Sequence, residues 1–332
     1  MKRKLLIISV LFCCLLLVGC SKSDEKNVVK KLEKNLNDIK GYSLVGKMEI
    51  QNNEDKYTYD VNVSYKEKDN FRVSLKNQVN NHEQIIIKNE EGVYVLTPSL
   101  NKSFKFQSEW PYNNSQSYLI QTILKDIKND NEKIFKETAD EYIFTVKANY
   151  SNNKNLVKQT IHFDKNLNLK LVEIMNDKDQ ILMKMEVSNI DMKPTYKDDH
   201  FSLKGNMTVS TDIKDSEVGK IDEVIYPMYI PVNTHLSGQN QITKETGERV
   251  ILTFSGEKPF MLVQETVSKE PELSITPMYG DPDMLSGTIG AISDTSVTWI
   301  DGGIEYYVVS DVLKKEELLQ VAKSISVMPV GK

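Results

Sequence analysis

Of the three cysteines, Cys13, Cys14 and Cys20, only the last sits where its type and neighbours suggest chemistry. It closes the tetrapeptide Leu17-Val18-Gly19-Cys20, with a small residue directly before the thiol. Upstream lie the basic start Met1-Lys2-Arg3-Lys4 and an apolar run from Leu5 to Val18 broken only by Ser9. That run is shorter than the ~20 residues of a bilayer-spanning helix and has the build of a secretory signal. The tetrapeptide matches a lipobox, where the thiol receives a diacylglycerol and the peptide is cut before the cysteine. On this reading residues 1–19 are a signal peptide and 20–27 a lipidated tether. The mature chain of 313 residues is expected at the outer face of the cytoplasmic membrane, held through Cys20 by acyl chains such as palmitate. An uncleaved N-terminal anchor with Cys20 a bystander is the alternative. Once Cys20 carries lipid, no cysteine remains for a disulfide, a thiolate nucleophile or a metal site, and stability must come from the core.

The remaining candidates for chemistry are sparse. Four histidines, His82, His162, His200 and His235, are scattered, with no second histidine at metal-ligand spacing. His162 alternates with Ile161 and Phe163 and reads as the polar face of a strand. No Gly-x-Ser-x-Gly elbow is present, and Gly287-Thr288-Ile289-Gly290 lacks the Lys-Ser/Thr of a phosphate loop. Asp281-Pro282-Asp283 and Asp198-Asp199 pair carboxylates in what read as loops, without the twelve-residue calcium pattern. Carboxylates for glycoside hydrolysis can lie far apart in a chain, and nothing singles out a pair. No catalytic, cofactor or metal site is therefore expected. The aromatic side chains are the other candidates. Tyr57, Tyr59, Val61 and Val63 share one strand face, and with Trp110 they are the candidate partner-binding or apolar-groove residues. Core packing is the plainer reading of the same pattern. An exposed edge there would pair with another chain, a second copy included.

The elements that would position these residues follow from periodicity. Val28, Val29, Leu32, Leu36 and Ile39 recur at helical spacing and stop at Gly41. From Tyr42 the period becomes two, through runs near 42–50, 57–65, 71–75, 85–87, 93–96 and 103–106, with Asn89 to Gly92 a hairpin turn. Trp110-Pro111-Tyr112 breaks the pattern, and Tyr118 to Ile127 predicts a second helix. Strands resume at 142–148, 157–163, 169–175 and 181–190. Consecutive antiparallel strands with one apolar face can cover it by curling around the helices. The expected fold class is α+β. An N-terminal open antiparallel half-barrel carries helices on its concave face over 28–205, followed by a linker at 206–220 and a smaller acidic α+β domain at 221–332.

In that last part strands are expected at 224–230, 249–254, 260–265, 287–292, 296–300 and 304–309. A helix capped by Ser310 is expected from Asp311 to Ile325. Charge marks the division: residues 21–205 carry a net +1, residues 206–332 a net −9. Such acidity argues against nucleic acid and against electrostatic docking on anionic lipid.

Several of these segments, in order, resemble a known family. The lipobox and amphipathic helix lead into Gly41-Tyr42-Ser43-Leu44, then Phe71-Arg72-Val73 and Gly92-Val93-Tyr94-Val95. Phe163-Asp164-Lys165-Asn166-Leu167-Asn168-Leu169 and Val187-Ser188-Asn189-Ile190 follow, ending at Phe201. This order is similar to the LolA-like lipoprotein carrier fold, also found in LppX and RseB. Within it, it most resembles sporulation and germination lipoproteins of spore-forming Gram-positive bacteria, the YdcC and GerS type. The resemblance implies a half-barrel whose concave face holds acyl chains in carriers. In the spore-forming group it implies a role in spore formation or germination through an envelope protein partner, with a cortex-modifying amidase as one candidate. A carrier must diffuse between membranes, whereas a lipid-tethered chain is fixed to one. A stationary, non-catalytic binding role therefore ranks above a lipid or lipoprotein carrier, and an envelope hydrolase ranks last.

Overall fold

The computed structural model describes residues 24–52, 55–207, 221–245, 247–267, 273–285 and 287–325. Cys20, the start of the tether and most of the expected linker lie outside them. The chain begins with α1 (Glu25–Asp38), which buries Val28 and Leu32. The helix starts inside the expected tether because the Asp24 carbonyl already accepts from the Asn27 and Val28 amides, and Glu25 suits the positive end of the helix.

Six antiparallel strands follow: β1 (Gly41–Asn52), β2 (Asp55–Lys66), β3 (Asn70–Asn77), β4 (Glu83–Asn89), β5 (Gly92–Thr97) and β6 (Lys102–Phe106). After α2 (Ile120–Asn129) come β7 (Ile134–Glu137), β8 (Glu141–Lys147), β9 (Lys158–Asp164), β10 (Leu169–Met175) and β11 (Ile181–Asp191). β11 returns to pair with β1, joining the two runs of strands into one open sheet. Both helices cover the same apolar face: Val28, Leu32, Ile123 and Ile127 share one core with Leu44, Val61, Val73, Phe144 and Val172. This is the expected open half-barrel. On its outer face Leu203 of the short α3 (Leu203–Asn206) and Met207 pack on Ile85, Ile87, Tyr94 and Leu96.

The second sheet contains β12 (Thr234–Lys244), β13 (Gly247–Gly256), β14 (Phe260–Thr266), β16 (Asp281–Leu285), β17 (Thr288–Ile292), β18 (Ser296–Asp301) and β19 (Ile304–Val309). Its order is β12-β13-β14-β19-β18-β17-β16, with α4 (Lys315–Lys323) against β18 and β19. Between β14 and β16 the chain leaves this sheet. β15 (Ser274–Met278) crosses to the first sheet and pairs with β6 in parallel, making it twelve-stranded. No local pattern announces such a crossing.

Three further expectations change. Residues 224–230 form no strand. Gln264, fully buried on β14, bonds both the amide and the carbonyl of Ile225 (3.0 and 2.7 Å) and so replaces a ladder partner. Pro227 lies within the stretch and Pro231 directly follows it, and neither can donate to a ladder. The last helix is shorter than Asp311 to Ile325, because Ser310 Oγ accepts from the Val312 and Leu313 amides and holds a turn before the helix starts. Asp281-Pro282-Asp283 is not a loop but edge strand β16. Proline is tolerated at an edge, where an amide need not pair.

The two sheets meet along a continuous seam. Ile289, Ala291 and Ile300 of the second sheet belong to the core of the first. Gln84 of β4 accepts from the Ile289 amide (2.6 Å) and the Thr288 hydroxyl (2.9 Å), and donates to the Ile289 carbonyl (3.3 Å). Ser108 donates to Asp281 (2.6 Å), Asn152 to Asp283 (2.8 Å), and Lys154 pairs with Glu316 of α4.

Candidate functional site

The residues singled out in the sequence are brought together, but not at a surface. β2 is paired on both sides, with β1 and with β3, so Tyr57, Tyr59, Val61 and Val63 do not lie on an edge. Tyr59, Val61 and Val63 point into the core and are almost fully buried. The expectation of an exposed pairing edge there is corrected by the return of β11, which places β1 and β2 in the middle of the sheet.

Tyr57 lies partly buried in the seam, its ring against Gly287. Gly287 has φ +109°, and a Cβ there would lie 2.7 Å from the Tyr57 ring. Gly287→Ala is expected to destabilise by ~1–3 kcal/mol, since both the backbone and the ring must yield; urea unfolding measures it. Trp110 is also core, only 1 % exposed and edge-on to Phe71 at 5.9 Å.

The concave face is thus filled. Residues 110–119 fold into it ahead of α2, bringing Asn114, Ser115, Gln116 and Ser117 inside with their polar groups paired. Ser115 Oγ and Gln159 Nε2 both donate to Asp126 Oδ2 (2.6 and 2.7 Å). Burial holds the Asp126 carboxyl above the ordinary range, and these two bonds pull part of the way back.

Open space remains at one mouth of the half-barrel, a groove of about 710 Å³. Its walls are the C-terminal half of α1 with Leu36 and Ile39, the β9–β10 turn with Leu167, and Met192, while Ile120 and Phe163 line it from within. Lys40, Lys66, Lys193, Asp38 and Glu67 also line it. The size and apolar lining suit a small ligand or an inserted side chain. The sequence had marked Leu36 and Ile39 only as a helix face. Their half exposure depends on the distant Met192 and Leu167, which no local pattern brings together.

The titratable groups do not converge. Among the described residues no group of three or more His, Cys, Asp or Glu side chains could hold a metal ion. His162 Nδ1 faces Glu141 at 2.9 Å, His200 Nε2 faces Ser64 Oγ at 2.9 Å, and His235 is exposed on β12. His82 sits in the seam, in a cleft with Asp301 of β18.

Burial pushes His82 below the ordinary imidazole range, with the Asp301 carboxylate opposing. Burial, helped by Arg72, also pushes His200 down. Both rings therefore favour the folded state when neutral. That stability is present above the unfolded value of about 6.5 and is lost as pH falls through the lower folded values. The urea midpoint is expected to drop from about pH 7.5 to about pH 5.5, and His82→Gln with His200→Gln to flatten the drop.

No protein-family profile matches the chain. It is 35% identical over 330 residues to sporulation protein YdcC of Bacillus subtilis (strain 168), covering 98% of this chain and 97% of that protein. The chain belongs to the YdcC family of sporulation proteins. Solved structures similar to this YdcC-family chain include the MucA/MucB complex of Pseudomonas aeruginosa (13% identity, TM-score 0.36, 91% of this chain and 98% of that one). LolA superfamily protein NE2245 from Nitrosomonas europaea covers 54% of this chain and 97% of its own at 9% identity and TM-score 0.30. The structure of the CwlD amidase from Clostridioides difficile in complex with the GerS lipoprotein gives 14% identity and TM-score 0.21 over 54% of this chain and 99% of the matched chain. These likenesses are loose, and the half-barrel of the YdcC-family chain is established by its own strand order.

Proposed function

We propose that the protein is a non-catalytic lipoprotein, held by lipid on Cys20 at the outer face of the cytoplasmic membrane, that binds and positions another envelope protein during spore formation or germination. The observation that carries this reading is the near full-length relationship to a sporulation protein. A filled concave face, scattered histidines and a lipobox at Cys20 are consistent with it. The finer partner is a cortex-modifying amidase, following the sequence resemblance to the GerS type. A second reading, a lipid or lipoprotein carrier, is favoured by the apolar groove of about 710 Å³.

The test mixes the chain from Ser21 onward with the cortex-modifying amidase of the same organism and follows co-elution by size exclusion. A stable complex is expected. Separate elution, with about one acyl lipid extracted per chain, supports the carrier instead.

A further inference from the structure

Among the described residues the two sheets end in four edge strands, and the chain protects three of them. β7 is four residues long and carries Lys136 and Glu137, the latter tied to Lys165. β15 is short and contains Pro277. β16 contains Pro282, and both its aspartates are bonded across the seam to Ser108 and Asn152. Short edge strands, proline and charge are the usual defences against edge-to-edge pairing.

β12 has almost none of these. It is eleven residues long, pairs among the described residues only with β13, and is largely exposed on both faces. Its single irregularity is a bulge between Leu236 and Gly238, which leaves Gly238–Lys244 regular. Lys244 is its only Lys, Arg, Asp or Glu, and that ammonium is already paired with Glu265. Exposed Met228 and Val232 lie in the segment leading into the strand, and Tyr226 of the same segment donates to Gln239 at 2.6 Å.

The charge pattern selects the occupant. Residues 206–332 carry a net −9, so two copies repel over most of this half of the molecule. β12 is a neutral strip within it. In an antiparallel pair about a two-fold axis, every register within β12 except the one centred on Lys244 itself sets Lys244 opposite an uncharged residue, so no like charges face each other in the longer pairings. We infer that β12 is a homotypic interface: two copies pair β12 to β12, antiparallel, joining two seven-stranded sheets into one. Tethering to one membrane would raise the effective concentration of the two copies and favour such pairing.

The experiment is sedimentation velocity on the chain from Ser21 onward, which contains every described residue, with two charge variants. Asn240→Lys with Gln241→Lys adds cations, and Asn240→Glu with Gln241→Glu adds anions. Both positions are exposed, one on each face of the strand, so the monomer should fold unchanged, as circular dichroism checks. The wild type is expected to dimerise with concentration. Each variant alone should dimerise at least about tenfold more weakly, and an equimolar mixture of the two should recover a heterodimer. A wild type that stays monomeric at every concentration overturns the inference. So does a dimer that both variants keep, or a mixture that fails to recover pairing. Binding of β12 to a different protein by a monomeric wild type also counts against it.

Discussion

Gln84→Leu is expected to cost ~2–4 kcal/mol, because leucine fills the same space and leaves the amide and carbonyl of Ile289 buried without partners. Gln84 and Ile289 are each about 5% exposed, so water does not replace the lost bonds. Thr288 keeps its bond to the Ile300 carbonyl (3.0 Å), which limits the damage to the Ile289 groups. The two tryptophans report on the two sides of the seam, Trp110 in the first core and Trp299 in the second. Variants retaining one tryptophan each, Trp299→Phe and Trp110→Phe, should give coincident urea transitions, because the sheets share Ile289, Ala291 and Ile300. Adding Gln84→Leu should lower both midpoints and draw them apart. Unchanged midpoints would mean that the seam contributes little to folding.

Trp110→Ala is expected to be costlier still, ~3–5 kcal/mol, since a large buried ring is removed from a packed core. The effect should reach further than the cavity. Trp110 stands where the chain turns into the concave face, edge-on to Phe71, and residues 110–119 follow it inward. Its loss should loosen that segment and open apolar surface between α2 and the sheet. Binding of an apolar dye by folded Trp110→Ala, with none by wild type, would show the opening, while Trp110→Phe should bind little. Stability and dye binding both unchanged in Trp110→Ala would contradict a filled concave face.

The strands of the half-barrel were legible because each buries one face and period-two alternation survives: β9 alternates buried and half-buried without exception. Helix α1 was legible for the same reason at period 3.6. What the sequence hid depends on pairing between distant residues. β15 leaves one sheet for another, and nothing in Ser274–Met278 records the Lys102–Phe106 strand it joins. Residues 224–230 look like a strand, but the backbone hydrogen bonds of Ile225 go to a side chain, Gln264, thirty-nine residues away.

The candidate site was legible in composition and not in position. Tyr57, Tyr59, Val61, Val63 and Trp110, expected at a partner surface or apolar groove, lie in or against one core, because whether a strand lies at the edge depends on the return of β11. The edge that is open, β12, was missed because its polar sequence carries no alternation to read.

The most direct measurement is affinity capture of the tagged protein from detergent-solubilised envelopes of sporulating cells, with the eluate read by mass spectrometry for both proteins and lipids. A positioning lipoprotein should bring down one envelope protein in near-stoichiometric amount, with little lipid beyond the anchor on Cys20. Stoichiometric acyl lipid with no protein partner would contradict that role and make the groove beside α1 the working site of a carrier.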